Sequence, residues 1–173
     1  MNALAMIGGL LVTIYLAAQA AIAVVHMFSG GMASTAVQDA DYIANHIKSN
    51  FGGNQNGSTN FSSVSNALAI STASVPRSML NGDGQTIKGP WSTSYVNLSS
   101  SADGGSFYET WSGVPASACS ELANAAAVNY INVNGTQIGF SPTSSVSTAV
   151  AQACNGTAGA MNNIVLSYVM NFE

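Results

Sequence analysis

The chain holds 173 residues, enough for one domain of ordinary size and too few for two. Hydrophobic residues make up 47% of it and charged residues only 6%, against about 25% charged in ordinary globular domains. Three basic residues against seven acidic ones leave a net charge of −4, so no Lys/Arg patch can neutralise a phosphate backbone and nucleic acid is excluded as a direct partner.

The few charges are unevenly placed. From Met1 through Gln38 there is no Asp, Glu, Lys or Arg, and His26 is the lone side chain of a type that titrates near neutral pH. Within that stretch Ala3 to Phe28 reads as one apolar run, and about 20 apolar residues suffice for a helix to cross a bilayer core. A cleavable signal peptide needs a basic n-region and an apolar stretch of about 7–15 residues; this run is longer and carries no cation. Two readings remain, a plain membrane anchor and a helix that sits in the membrane first and later packs against copies of itself. The abundance of Ala and Gly in the run suits the second, because small residues let helix backbones approach closely.

Beyond the Gly30-Gly31 joint, Ala33, Ala36, Val37, Ala40, Ile43, Ala44, Ile47 and Phe51 recur at three- and four-residue steps. That is an apolar stripe at helical period. Gln38, Asp39, Asp41, Asn45 and Lys48 fall on the other side, and Gly52-Gly53 supplies a stop. The spacing therefore predicts a jointed helix of about fifty residues, about 75 Å long, far more than a bilayer requires. Its second half is predicted to lie on a globular head.

The remainder of the chain alternates turn signals with short periodic stretches. Residues 54–60 are a Gly/Asn/Ser loop, and 62–73 carries a weak helical pattern through Val64, Leu68 and Ile70. Asn81-Gly82-Asp83-Gly84 is a tight turn. Residues 94–98 and 106–111 alternate like strands, with Gly104-Gly105 between them. Pro115 opens a predicted helix that runs through Cys119, Leu122 and Ala126 to Tyr130. Residues 131–140 form a predicted hairpin centred on Asn134-Gly135, 144–154 a predicted helix, and 163–173 a terminal strand apolar enough to sit mid-sheet. Without regular βαβ alternation the fold class is α+β. Two units are expected: a hydrophobic stalk or transmembrane helix over 1–31, and a head over 32–173 that includes the amphipathic half of the first helix.

Cys119 and Cys154, behind an apolar segment and in a low-charge Asn/Ser/Thr surface, read as a disulfide made in an oxidising compartment. Two free buried thiols are the alternative. No catalytic constellation emerges. His26 lies in the apolar run and His46 on the amphipathic helix, and neither has the partners a triad needs. Two cysteines without nearby histidine do not make a zinc site, and no Gly-rich loop precedes a Lys in phosphate-binding form. No cofactor is expected. The Asn-x-Ser/Thr sequons at Asn56, Asn60, Asn97, Asn134 and Asn155 are what chance supplies in a chain so rich in these residues.

The motifs VPRSM, NGDG, GPW, a strand pair and GVPASACSEL, spread over Val75 to Leu122, resemble the major pilins of type IVb pili. The similarity is closest to conjugative (thin) pili, whose heads carry a similar Pro-Trp element and Val-Pro-x-x-x-Cys helix. The resemblance implies an α+β head on a long N-terminal helix, with Cys119 bonded to Cys154 near the end of the chain. It implies cleavage by a prepilin peptidase with Met1 as the mature first residue, storage in the inner membrane, and extraction by the pilus assembly machinery. It implies polymerisation into a helical homopolymer at the cell surface, with a minor pilin at the tip. On that reading Ala3, Ala5, Gly8, Gly9, Leu10, Leu11, Ile14, Leu16, Ala20, Ile22 and Val25 line the filament core. Two departures stand out. The glutamate usual at the fifth position is Ala5 here, which also bears on N-methylation of Met1. The usual helix-breaking proline is missing, so Gly8-Gly9 and Gly30-Gly31 become the places where the helix loosens. The other readings are a tip adhesin of the minor-pilin kind and a membrane-anchored binding ectodomain. A secretion pseudopilin would bring a calcium-binding carboxylate cluster, which the scattered acids here do not supply.

Overall fold

The computed structural model describes residues 31–52, 60–125, 128–139, 145–157 and 159–169. The first of these is a helix, α1, over 31–51. Its predicted stripe is the buried face: Ala33, Ala36, Ala40, Ile43, Ala44 and Ile47 all lie in the core, with Val37 and Phe51 packed at its margin. Alanine at three of the first contact positions keeps that face flat, so the helix axis sits close to what it covers. Met32 and Tyr42 face outward. The helix ends where expected, with the Gly52 N–H bonded to the Lys48 carbonyl at 2.8 Å.

A six-stranded sheet lies beneath. Its strands are β1 (Ile87–Lys88), β2 (Tyr95–Ser100), β3 (Ser106–Pro115), β4 (Tyr130–Val133), β5 (Thr136–Gly139) and β6 (Met161–Val169). The order is β1-β2-β3-β6-β4-β5 with every neighbouring pair antiparallel. The predicted terminal strand is thus central, as its apolar content requires, and it begins at Met161 rather than Asn163. The Asn134-Gly135 hairpin forms as read, with φ of +52° and +88° at the two turn residues, the mirror-image geometry that suits strand twist.

Alternation sorts the two faces. Phe107, Glu109 and Trp111 of β3 and Ile164, Leu166 and Tyr168 of β6 point inward. There Phe61, Phe107 and Tyr168 form an aromatic stack, with ring centroids 5.0 and 4.9 Å apart. Beyond Trp111 the register of β3 against β6 shifts by a bulge. Gly113 sits in that bulge at φ +69°, and a Cβ there would strike the Thr93 carbonyl. Only glycine satisfies both demands.

Three short helices complete the head: α2 (Asn66–Ser71), α3 (Ala116–Ala125) and α4 (Val146–Ala153). α2 is shorter than predicted, and Ala69 is its buried residue; Leu68 and Ile70 are half-buried and Val64 packs just before the helix starts. The Asn66 side chain bonds the Val96 carbonyl and the Leu98 N–H, closing the free edge of β2 as a neighbouring strand would. The predicted helix from Pro115 to Tyr130 is corrected at both ends. Pro115 is the last residue of β3, paired with Met161, and Tyr130 opens β4, paired with Ser167 and Gly139. Cross-strand pairing outweighs the local four-residue spacing. The two-residue strand β1 has no counterpart in the sequence reading.

Candidate assembly surface

The helix–sheet contact is where the charge-poor sequence becomes specific. Three of its few ionisable groups converge beneath α1. Asp41 and Lys48 stand on the flanks of the helix, half-buried, and Glu109 rises from β3 directly below, fully buried. Glu109 Oε2 accepts a hydrogen bond from Trp111 Nε1 at 3.2 Å, while Oε1 has no partner among the described residues. Burial drives the Glu109 carboxyl well above the ordinary carboxylate range; the Trp111 bond and Lys48 oppose this, and Asp41 adds to it. Burial thus favours the protonated, neutral form of the group. The Lys48 ammonium lies 5.2 Å from the centroid of the Tyr168 ring, a cation–π contact that holds the lysine stem along the sheet. The Tyr168 hydroxyl is buried, again without a partner among the described residues, and burial pushes its pKa up too. His46 stacks on Tyr42 on the outer side of α1, centroids 4.1 Å apart.

The opposite end of the head is fixed by a bond and a network. Cys119 and Cys154 are joined, with Cα atoms 5.9 Å apart, which ties α3 to the C-terminal end of α4. Beside the bond, Asn162 Oδ1 accepts from Asn134 Nδ2 at 2.7 Å and from the Asn155 N–H at 2.8 Å. Asn134 Nδ2 also donates to the Ala153 carbonyl, and its Oδ1 accepts from the Asn163 N–H. Two asparagines thereby join the hairpin turn, the end of α4 and the start of β6, which removes Asn134 from the sequons with a free amide.

Of the residues expected to form the disulfide, the mature terminus, the filament core and the helix joints, the described set contains Cys119, Cys154 and Gly31. Gly31 is helical and meets no neighbour within 4 Å of where a Cβ would stand. Met1, Ala3, Ala5, Gly8, Gly9, Leu10, Leu11, Ile14, Leu16, Ala20, Ile22, Val25 and Gly30 lie outside the described residues. No helix among the described residues is long and apolar enough to cross a membrane. Sequence reasoning missed Glu109 and Asn162. The first was within reach: with Phe107 and Trp111 inward, a period of two puts Glu109 on the same face.

The family described as "PilS N terminal" matches residues 33–169, from the docked part of α1 to the last residue of β6. No curated protein matches the chain. Among solved structures, the crystal structure of TcpA, a type IV pilin from Vibrio cholerae El Tor biotype, superposes with a TM-score of 0.52 at 15% identity. The alignment covers 79% of this chain and 98% of that one. At such identity the likeness establishes the fold, a long helix laid on an antiparallel sheet.

Proposed function

Because the chain belongs to the PilS N-terminal family of type IV pilins, and so is a structural pilus subunit and not an enzyme, we propose that it is the major pilin of its fibre. One observation carries this reading: a segment without a single charge through Gln38 leads into a helix whose Ala33, Ala36, Ala40 and Ile43 are already committed to the head. The head thus uses up the second half of the helix, and the apolar first half needs another partner. A membrane serves before assembly, and the same segments of sister molecules serve afterwards.

On this proposal Ala3 to Phe28 forms the core of the fibre, Met1 is exposed by a prepilin peptidase, and the inner-membrane assembly machinery passes subunits from lipid to polymer. One of the pairs Gly8-Gly9 and Gly30-Gly31 loosens as the helices bundle. The motif resemblance to thin pili supports a conjugative fibre, one that makes mating-pair contact. Deletion of Ala3 to Phe28 tests the core of the proposal. A folded, disulfide-bonded, monomeric head with no fibres on the cell is the expected result. Fibres that persist without the chain along their length would make it a tip pilin or an anchored ectodomain instead. Loss of fibres with unchanged mating frequency would remove the conjugative role.

A further inference from the structure

The sheet has a second face, turned away from α1, and its residues fall into two rows. Cross-strand register aligns Ser99, Tyr108, Ser167 and Tyr130 on β2, β3, β6 and β4. One step along, it aligns Asn97, Thr110, Val165, Asn132 and Gln137, from β2 through to β5. The first row is aromatic: the Tyr108 and Tyr130 rings lie 6.3 Å apart at 52° to each other. The second is a ladder of amides and a hydroxyl around one apolar residue. Between the rows runs a shallow groove of about 380 Å³.

We propose that this groove binds a neutral oligosaccharide. Four observations lead there. First, neither row carries an ionisable acid or base, and among strand residues on that face only Lys88, at the edge opposite Tyr95, is charged. With a net charge of −4 on the chain, nothing attracts a phosphate or an acidic sugar. Second, the rows pair the two chemistries that a pyranose presents. Its apolar C–H face packs on an aromatic ring, and its equatorial hydroxyls both donate to and accept from planar amides. Third, the polar groups are ready. The Asn97 and Gln137 amides have no hydrogen-bond partner among the described residues, and Asn132 commits only Oδ1, to the Gly135 N–H at 2.9 Å. Fourth, Ser167 lies between the two tyrosines in the register and is fully buried, so the aromatic row is backed by packed protein rather than by open space. The amide row crosses five strands at about 4.8 Å each, the reach of a short oligosaccharide and not of a single sugar.

The placement on the fibre rests on the pilin-subunit reading. Since α1 lies on the other face, a fibre with the apolar N-terminal run at its axis, as proposed above, turns the tyrosine rows outward. Each subunit then repeats the groove, so weak individual sites sum to firm attachment of a multivalent surface.

The test uses the full chain, both in detergent micelles and as sheared fibres. Each is probed with neutral homo-oligomers of glucose, galactose, mannose and N-acetylhexosamine, and with polygalacturonate as the acidic control. Saturation transfer from protein to at least one neutral oligomer is expected, with none to the acid. Gln137→Ala and Tyr130→Ala each should weaken binding at least about tenfold, whereas Tyr130→Phe, which keeps the ring, should retain most of it. Gln137 is an exposed edge residue, so its variant keeps the test valid if Tyr130→Ala fails to fold. No transfer to any neutral oligomer in micelles overturns the site, as does binding that ignores the Gln137 substitution. Binding in micelles that vanishes in fibres overturns the outward placement. Absence of fibres sinks the pilin-subunit reading alone, and the micelle result still decides the groove.

Discussion

At Glu109 a single carboxyl sets the acid–base behaviour of the head. Burial raises its folded-state pKa, so the folded protein holds a proton that the unfolded chain releases once pH exceeds the ordinary value of 4.5. The sign follows: stability is greatest below that value and declines as pH rises toward the folded-state value. Chemical denaturation between about pH 4 and about pH 8 should show this downward slope, and Glu109→Gln should flatten it. The same variant should lose less stability than the parent as pH rises, because a neutral amide keeps an acceptor for Trp111 Nε1 and takes up no proton on folding. A rising slope in the parent protein would refute the assignment. Gly113 makes a second demand at one position. Gly113→Ala should cost more than about 1 kcal/mol, read as a lowered midpoint of thermal unfolding, through positive φ and the Thr93 carbonyl together. Neither residue announces itself in composition. Glu109 was legible only through its parity with Phe107 and Trp111, and Gly113 not at all, since a bulge is fixed by the partner strand β6.

Elements were legible where one physical signal dominated. The α1 stripe, the Asn134-Gly135 turn and the apolar β6 each rest on a strong local pattern, and each forms as the predicted kind of element, β6 with its start moved two residues earlier. Errors arose where two patterns overlapped. Around Tyr130 the spacing from Cys119 continues a helix, yet alternation from Tyr130 to Val133 makes a strand, and three-strand pairing decides between them. β1 consists of two residues held by pairing to β2 and by a bridge from Ile87 to Leu80, too short for any periodicity. The Cys119–Cys154 bond joins elements whose own sequences are weakly helical, so much of their stability is placed in it. Replacing both cysteines by serine should cost about 4 kcal/mol for a loop of this length, measured by denaturant unfolding. A loss below about 1 kcal/mol would mean that the Asn134–Asn162 network alone holds α4 in place.

For the whole molecule the shortage of charge is the governing property. Contacts between heads in a fibre must be made of apolar surface, hydroxyls and amides, because there are too few ions to do otherwise. Salt screens charges and leaves such contacts alone. Fibres should therefore keep their length on transfer from low to molar salt, as seen by electron microscopy, and fragmentation there would show that a small set of ion pairs carries the polymer. The residues proposed for the fibre core are read from the sequence alone, as an uninterrupted run without charge, and lie outside the described residues. The outer face of the sheet was not legible, since its two rows exist only once five strands are in register.

The central place of β6 has a consequence for how the head comes into being. β3 with β2 on one side and the β4–β5 hairpin on the other do not touch as strands; they meet only through the last strand of the chain. Until that strand has emerged, translation and export present two half-sheets with open edges, each able to capture the wrong neighbour. A chain arrested before residue 161 should consequently behave as an aggregating intermediate and not as a smaller head, and ribosome-stalled lengths would reveal protease resistance arriving in one late step.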